Sequence, residues 1–200
     1  MVREAAAETA YAAGEFGIAL TEYKALHRIT GNDDFLPVIA DCERAVGKHQ
    51  AALRTLREAR EAKLSLPQQV DVILVEAGVR DDLGQQAEAS RLLTEAISSR
   101  RGGRAGQARL RYAYANLLVA AGQGESAKKW FNSAMNYDDE GELDSHRRIA
   151  ELDGDPLPEE DVDDEFEIMD IEVVEDEELD DEEWDELPEV GVHGKADEEE

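Results

Sequence analysis

Between residues 3 and 137, small and large apolar residues recur in the same order behind a glycine. A small residue follows about five positions after the glycine, a large apolar residue four later, and a second small residue completes the face. The segments are Gly14, Ala19, Tyr23, Ala25; Gly47, Ala52, Leu56, Ala59; Gly84, Ala89, Leu93, Ala96; and Gly122, Ala127, Phe131, Ala134. Small residues on one helical face let a neighbouring helix approach closely, and glycine permits a tight reversal. The pattern predicts about four helix pairs.

A first helix is predicted ahead of each glycine, over residues 3–13, 35–46, 69–82 and 106–121, where few helix breakers occur. Pro37 suits the first turn of the second pair, and Pro67 lies in the loop before the third. In the first pair, the second helix is expected to lack one residue. Residues 141–152 predict a further helix, with Leu143, Ile149 and Leu152 on its apolar side, that covers the last pair.

The chain resembles the tetratricopeptide repeat family over roughly residues 3–137. Its glycine-to-glycine steps of 33, 37 and 38 residues lie near the family period of about 34. The best match is the fourth unit, with Ala115 in its first helix and Ala127, Phe131 and Ala134 in its second. The segments FLPVIADCERAVG and ARLRYAYANLLVAAGQ also resemble actinobacterial tetratricopeptide proteins. The family's first-helix tryptophan is missing, and its proline after the second helix is displaced.

The resemblance implies an all-α fold, a right-handed helical-repeat solenoid of about four helix pairs with a C-terminal capping helix. This domain is expected to occupy residues 1–152. No equivalent cap precedes the first pair, so we expect either a partner or an upstream segment to cover that end.

Acidic residues are concentrated after the predicted repeats. Of the net charge of -28, residues 153–200 carry -25, from 26 acidic residues and one lysine. Self-repulsion opposes compaction of such a segment, which predicts a disordered acidic tail over 153–200. Apolar residues interrupt the acidic runs and are candidate anchors for a partner: Phe166, Ile168, Ile171, Trp184 and Leu187.

Three roles for this tail stay open. It could keep the protein soluble, bind a partner through its acidic and apolar residues, or dock on the chain itself. The third role is suggested by five arginines that are close in sequence: Arg100, Arg101, Arg104, Arg109 and Arg111. A tethered polyanion would have a high effective concentration near them.

Enzyme and membrane classes receive no support from the sequence. No phosphate-binding loop, nucleophile elbow or HExxH motif is present, so we expect no catalytic residue, cofactor or metal. The single Cys42 cannot form an intrachain disulfide and is expected to be a buried thiol. Neither a secretory leader nor a long apolar run is found, which predicts a cytoplasmic protein without membrane contact.

The resemblance implies a ligand groove lined by the first helices. Family register assigns it the candidate residues Glu4, Glu8, Tyr11, Asp41, Arg44, Asp71, Leu74, Asp81, Asp82, Tyr112 and Asn116. Tyr112 and Asn116 suggest an aromatic platform and a peptide-backbone partner, although Tyr112 could equally pack between repeats. The lysines with which relatives clamp a terminal carboxylate are missing, and the set is mainly acidic. A neutral or basic protein segment is therefore the expected ligand.

Two functions follow from these features. The first is a protein-interaction scaffold that binds a peptide or helix in the groove. The alternative is an acidic chaperone or nucleic-acid mimic whose tail masks a basic partner. Direct binding to nucleic acid is not expected at this net charge. Oligomeric state is left open.

Overall fold

The computed structural model describes residues 2–154, and within this range every regular element is a helix. Nine α-helices follow one another, with a short 3-10 helix, Asp33–Phe35, ahead of the third. They are α1 (Val2–Ala12), α2 (Phe16–Thr30), α3 (Leu36–Ala45), α4 (His49–Glu61), α5 (Leu66–Asp82), α6 (Gln86–Ser98), α7 (Gly103–Ala120), α8 (Gly124–Met135) and α9 (Ser145–Asp153). The predictions for residues 155–200, including their apolar anchors, lie outside the described residues.

Four of the predicted glycines form the turns between α1 and α2, α3 and α4, α5 and α6, and α7 and α8. Gly14, Gly47, Gly84 and Gly122 have φ angles of 74°, 75°, 72° and 72°. This left-handed backbone is cheap for glycine alone. At the first turn the amide of Gly14 donates to the carbonyl of Tyr11, at 3.0 Å. The helix thus ends where the sequence pattern placed the reversal.

The buried positions of the second helices share one spacing, at five, nine and twelve residues after the glycine. They are Ala19, Tyr23, Leu26; Ala52, Leu56, Ala59; Ala89, Leu93, Ala96; and Ala127, Phe131, Ala134. The prediction of Ala25 for the first set was wrong, because Ala25 is only half-buried and Leu26 takes its place. No residue is missing from α2.

Helices pack in chain order, and α3 also contacts α5, as α5 contacts α7. The backbone at the start of α7 passes close to Val70 of α5. A Cβ atom on Gly102 would lie 2.3 Å from Val70 Cγ2, and one on Gly106 would lie 3.0 Å away. Residues without side chains at these two positions therefore set the distance between α5 and α7.

The last helix begins later than predicted. Residues 141–144 form a loop, because the carboxylate of Asp138 accepts hydrogen bonds from the amides of Glu142 and Leu143, at 3.1 and 2.9 Å. Ile149 and Leu152 pack against the cluster that contains Phe131. The expected apolar contact of this helix with α8 is therefore present, over a shorter element.

Candidate functional site

An open cavity of about 750 Å³ lies along α1, α3, α5 and α7, and we call it the groove. Its lining includes seven of the residues that the sequence assigned to a ligand groove: Tyr11, Asp41, Arg44, Asp71, Leu74, Asp81 and Asn116. They come together because α3 packs on α5 and α5 packs on α7, which places the side chains of these helices along one cavity. Whether they bind a ligand stays a prediction.

A hydrogen-bonded chain crosses one end of the groove from α1 to α5. The hydroxyl of Tyr11 donates to Asp41 Oδ2 at 2.6 Å, and Arg44 Nε donates to Asp41 Oδ1 at 3.0 Å. Arg44 Nη1 then reaches Asp82 Oδ2 at 3.2 Å. Burial, together with the bond to Asp41, raises the pKa of Tyr11 far above its usual range. Tyr11 is therefore a fixed proton donor at physiological pH.

Gly78 is a groove residue that the sequence analysis did not select. A Cβ atom there would lie 3.3 Å from both Cδ and Nε of Arg44. The missing side chain gives the guanidinium of Arg44 room to pass across α5 and reach Asp82. The sequence signal for Gly78 was a glycine inside a helical segment, VEAGVR. Glycine weakens the interior of a helix, so its presence there indicates that a neighbouring group packs closely against that position.

Charges on the remaining wall are only partly neutralised. Arg109 Nη2 donates to Asp71 Oδ1 at 2.5 Å. Asp34 and Asp81 also line the groove, and their carboxylates have no ion-pair partner in the part of the chain that the structure describes. Apolar side chains lie between these charges: Val38, Leu74, Val75 and Leu117. The groove thus combines an apolar floor with two unpaired carboxylates.

Tyr112 does not line the groove. Its ring packs edge-on against Phe131, with centroids 5.3 Å apart, and its hydroxyl donates to Asp144 at the start of α9. Burial and that hydrogen bond raise the pKa of Tyr112. Asn116, one turn later, lines the groove and accepts a hydrogen bond from Arg148 Nη2 of α9, at 3.2 Å. Tyr112 thus packs between helices, and the predicted Glu4, Glu8 and Asp82 also lie outside the lining.

Three of the five arginines clustered in the sequence are engaged inside residues 2–154. Arg104 donates to both carboxylate oxygens of Asp139 at 2.6 Å. Arg109 pairs with Asp71, as described above.

Arg111 is only 9% exposed and bonds Gln107 and Ser133. Its guanidinium lies 4.0 Å from the centre of the Tyr137 ring, and burial lowers its pKa. Arg104 and Arg109 are therefore ion-paired but still partly exposed, whereas Arg111 is buried. Docking of the acidic residues on the five arginines stays a prediction.

The one thiol among the described residues, Cys42, lies in the core. Cys42 is fully buried, and desolvation raises the pKa of its thiol to about 12, so the prediction of a buried thiol is confirmed. Its buried neighbour Glu43 is held by Lys24 Nζ and Thr55 Oγ1, both at 2.7 Å. No group of three potential metal ligands occurs in residues 2–154, and no helix there has the length and apolarity to cross a bilayer.

Comparison with known proteins adds no family to these observations. No protein-family model matches the chain, no curated protein matches its sequence, and no solved structure matches it. The tetratricopeptide resemblance consequently stays a prediction from the sequence pattern.

Proposed function

We propose that the chain is a right-handed tetratricopeptide-type solenoid of four helix pairs with α9 as its C-terminal cap. In this proposal it is a cytoplasmic interaction scaffold rather than an enzyme. The observation that carries the proposal is the groove, because one open cavity collects seven side chains that family register assigned to ligand binding. Concave sites with an apolar floor and a few convergent polar groups are the usual form of a binding site.

The ligand is a neutral or basic peptide or helix of another protein. Its apolar side chains would lie on Leu74 and Leu117, and a lysine or arginine would face Asp81, whose carboxylate has no described partner. Pairing of a ligand cation with that carboxylate adds specificity for basic segments and speeds association. Asn116 can also offer its amide to the ligand backbone, since an amide group both donates and accepts.

Selection from a random peptide library with the full-length protein tests this proposal. Selected peptides are expected to be neutral or basic overall, with apolar residues at helical or alternating spacing. Their affinity should fall about tenfold for Asp81→Lys, because a repulsive cation replaces the attractive carboxylate. Glu58→Lys is the matched control, since Glu58 is exposed on α4, lines no part of the groove and has no described side-chain partner.

Unchanged affinity of Asp81→Lys, or equal losses for Asp81→Lys and Glu58→Lys, would remove the groove from the proposal. The second outcome would mean that only net charge matters.

The charge of residues 153–200 supports a second candidate. A segment with 26 acidic residues and a net charge of -25 can mask a basic protein as an acidic chaperone or nucleic-acid mimic. Binding of that kind is strongly weakened by salt. A chain that ends at residue 154 should lose such partners, whereas peptides of the groove should be retained.

A further inference from the structure

The helix α5 carries a second surface on the side away from the groove. Successive residues of an α-helix are turned by about 100°. Asp71, Leu74, Gly78 and Asp81 of the groove consequently share one side of α5. Positions 69, 73, 76 and 80 point about 150° away from them. Glu76 and Arg80 lie on this opposite side and help to line a cleft of about 210 Å³ between α4 and α5.

Four guanidinium groups surround this cleft, from Arg54, Arg57, Arg60 and Arg80, and we call the four the arginine face. Glu76 is the one carboxylate in its described lining. Like charges this close repel each other unless an anion lies between them. One carboxylate therefore neutralises only part of the positive charge of the four guanidinium groups.

The hydrogen bonds on the arginine face show the same shortage of acceptors. Arg60 Nε donates to Glu76 Oε2 at 3.1 Å, and Arg80 Nη2 donates to Glu76 Oε1 at 3.4 Å. Arg80 Nη1 donates to Gln85 Oε1 at 2.8 Å. The Nε atom of Arg80 is buried and has no acceptor among the described residues. Arg54 and Arg57 are exposed and contact no carboxylate within residues 2–154. Guanidinium groups with unused donors are suited to carboxylate or phosphate oxygens.

A larger cavity of about 480 Å³ adjoins the arginine face and shares Arg60 with it. Polar groups make up most of its exposed lining, and apolar groups are contributed by Ala59, Leu64, Val72, Ile73 and Leu92. Arg101 stands at its rim without a described side-chain partner, whereas Arg91 is paired with Glu88 and Glu95, at 2.8 and 2.7 Å. Cationic groups and apolar surface are thus continuous here.

We propose that the arginine face and the adjoining cavity bind an acidic segment of a partner protein in which carboxylates alternate with apolar side chains. The carboxylates accept from Arg54, Arg57 and Arg80, and the apolar side chains enter the cavity over Val72 and Ile73. The apolar groups in the lining of the cavity favour a protein segment over a nucleic acid, whose backbone offers phosphates without aliphatic groups.

The experiment measures binding of a fluorescent synthetic peptide, with glutamates and leucines in alternation, to the full-length protein by anisotropy. Substituting Arg54→Glu and Arg57→Glu together should weaken binding about tenfold, because both attractive cations become repulsive. Neither side chain makes a described contact, so the helix should be retained. The matched control is Arg28→Glu with Lys129→Glu, two exposed cations on α2 and α8 that lie outside both cavities.

Three results would overturn the proposal. The first is equal affinity of the wild-type and the arginine-face variant, and the second is an equal loss in the control variant. The third is tighter binding of a labelled single-stranded DNA than of the peptide, with the same dependence on Arg54 and Arg57. A peptide without leucines measures how much the apolar contacts in the cavity contribute to the affinity. It should bind several-fold more weakly than the alternating peptide. An unchanged affinity would contradict the apolar part of the site.

An arginine-face variant that changed the sedimentation of the free protein, without an effect on peptide binding, would also contradict the proposal. That outcome would assign the face to contacts between copies of this chain.

Discussion

The groove and the arginine face lie on two sides of the same helix, α5, and opposite signs of charge are in excess on them. In the groove, Arg44 is shared by Asp41 and Asp82, and unpaired carboxylates are left over. On the arginine face, Glu76 is shared by Arg60 and Arg80, and guanidinium groups are left over. The near balance of charge in the helical region hides this separation. Charge distribution by helix face is therefore more informative about binding than net charge.

The largest effect is expected from breaking the packing that holds both surfaces, at the contact of α5 with α7. Gly102→Ala adds a methyl group 2.3 Å from Val70 Cγ2, at a residue with a φ of 79°. Overpacking and left-handed strain together should lower the free energy of unfolding by about 2–4 kcal/mol. Urea unfolding measures this change, and peptide binding to both surfaces should weaken together.

Gly103→Ala is the control for that contact. Its φ is 64°, but nothing lies within 4 Å of its Cβ position. Only the backbone strain of about 1 kcal/mol should remain. Equal losses for the two variants would mean that the contact with Val70 does not limit the packing of α5 and α7.

Alkaline pH should destabilise the fold through the core thiol of Cys42. Burial raises the pKa of Cys42 from its ordinary 9.0 to about 12 in the folded chain. The folded state therefore keeps a proton that the unfolded chain releases, so stability is full below pH 9 and falls as the pH rises toward 12. The slope is about 1.4 kcal/mol per pH unit.

Urea unfolding as a function of pH measures this slope, and Cys42→Ala should make it shallower. Burial also raises the pKa values of Tyr11 and Tyr23. These two residues should therefore still contribute to the pH dependence of stability above pH 10 in Cys42→Ala. A slope that Cys42→Ala leaves unchanged would show that the thiol is not protected from ionisation.

Gly78→Ala should uncouple Arg44 from Asp82 at nearly constant stability. The gain in helix propensity, about 0.5–1 kcal/mol, is offset by the displaced Arg44 side chain. In the wild-type chain Asp82→Asn should cost about 0.5 kcal/mol, as for a partly exposed ion pair. In the Gly78→Ala background the cost should be smaller, because only the contact of Asp82 with His49 Nε2, at 3.6 Å, is left. Gly17→Ala, where nothing lies within 4 Å, is the control background. An equal cost of Asp82→Asn in all three backgrounds would contradict the assigned role of Gly78.

Another small effect concerns the turn that precedes α7. Arg100 has a φ of 53°, a conformation that favours glycine. Arg100→Gly should raise the free energy of unfolding by about 0.5–1 kcal/mol and leave binding at the arginine face nearly unchanged. Arg101→Gly, at a residue without a positive φ, should bring no such gain in thermal unfolding. A loss of stability in Arg100→Gly would mean that its side chain makes a stabilising contact.

The sequence predicted those features correctly for which a single residue type is physically suited. Glycines marked the turns because only they accept the left-handed backbone there cheaply, and the small–large–small spacing marked the buried face. It failed for Ala25, because composition suggested a small residue where the helical period places Leu26. The arginines from Arg100 to Arg111 were expected to act together, yet a helix spreads neighbours in sequence over several sides. Arg54 and Arg80 line the same cleft because α4 packs on α5, and no local pattern reveals that packing.

The most direct test of the two-sided account is a binding experiment with two labelled peptides, one basic and apolar, the other acidic and apolar, added together to the full-length protein. The account predicts that both bind at once. Asp81→Lys should weaken only the basic peptide, whereas Arg54→Glu with Arg57→Glu should weaken only the acidic one. Mutual exclusion of the two peptides, or equal effects of both variants on both peptides, would contradict it.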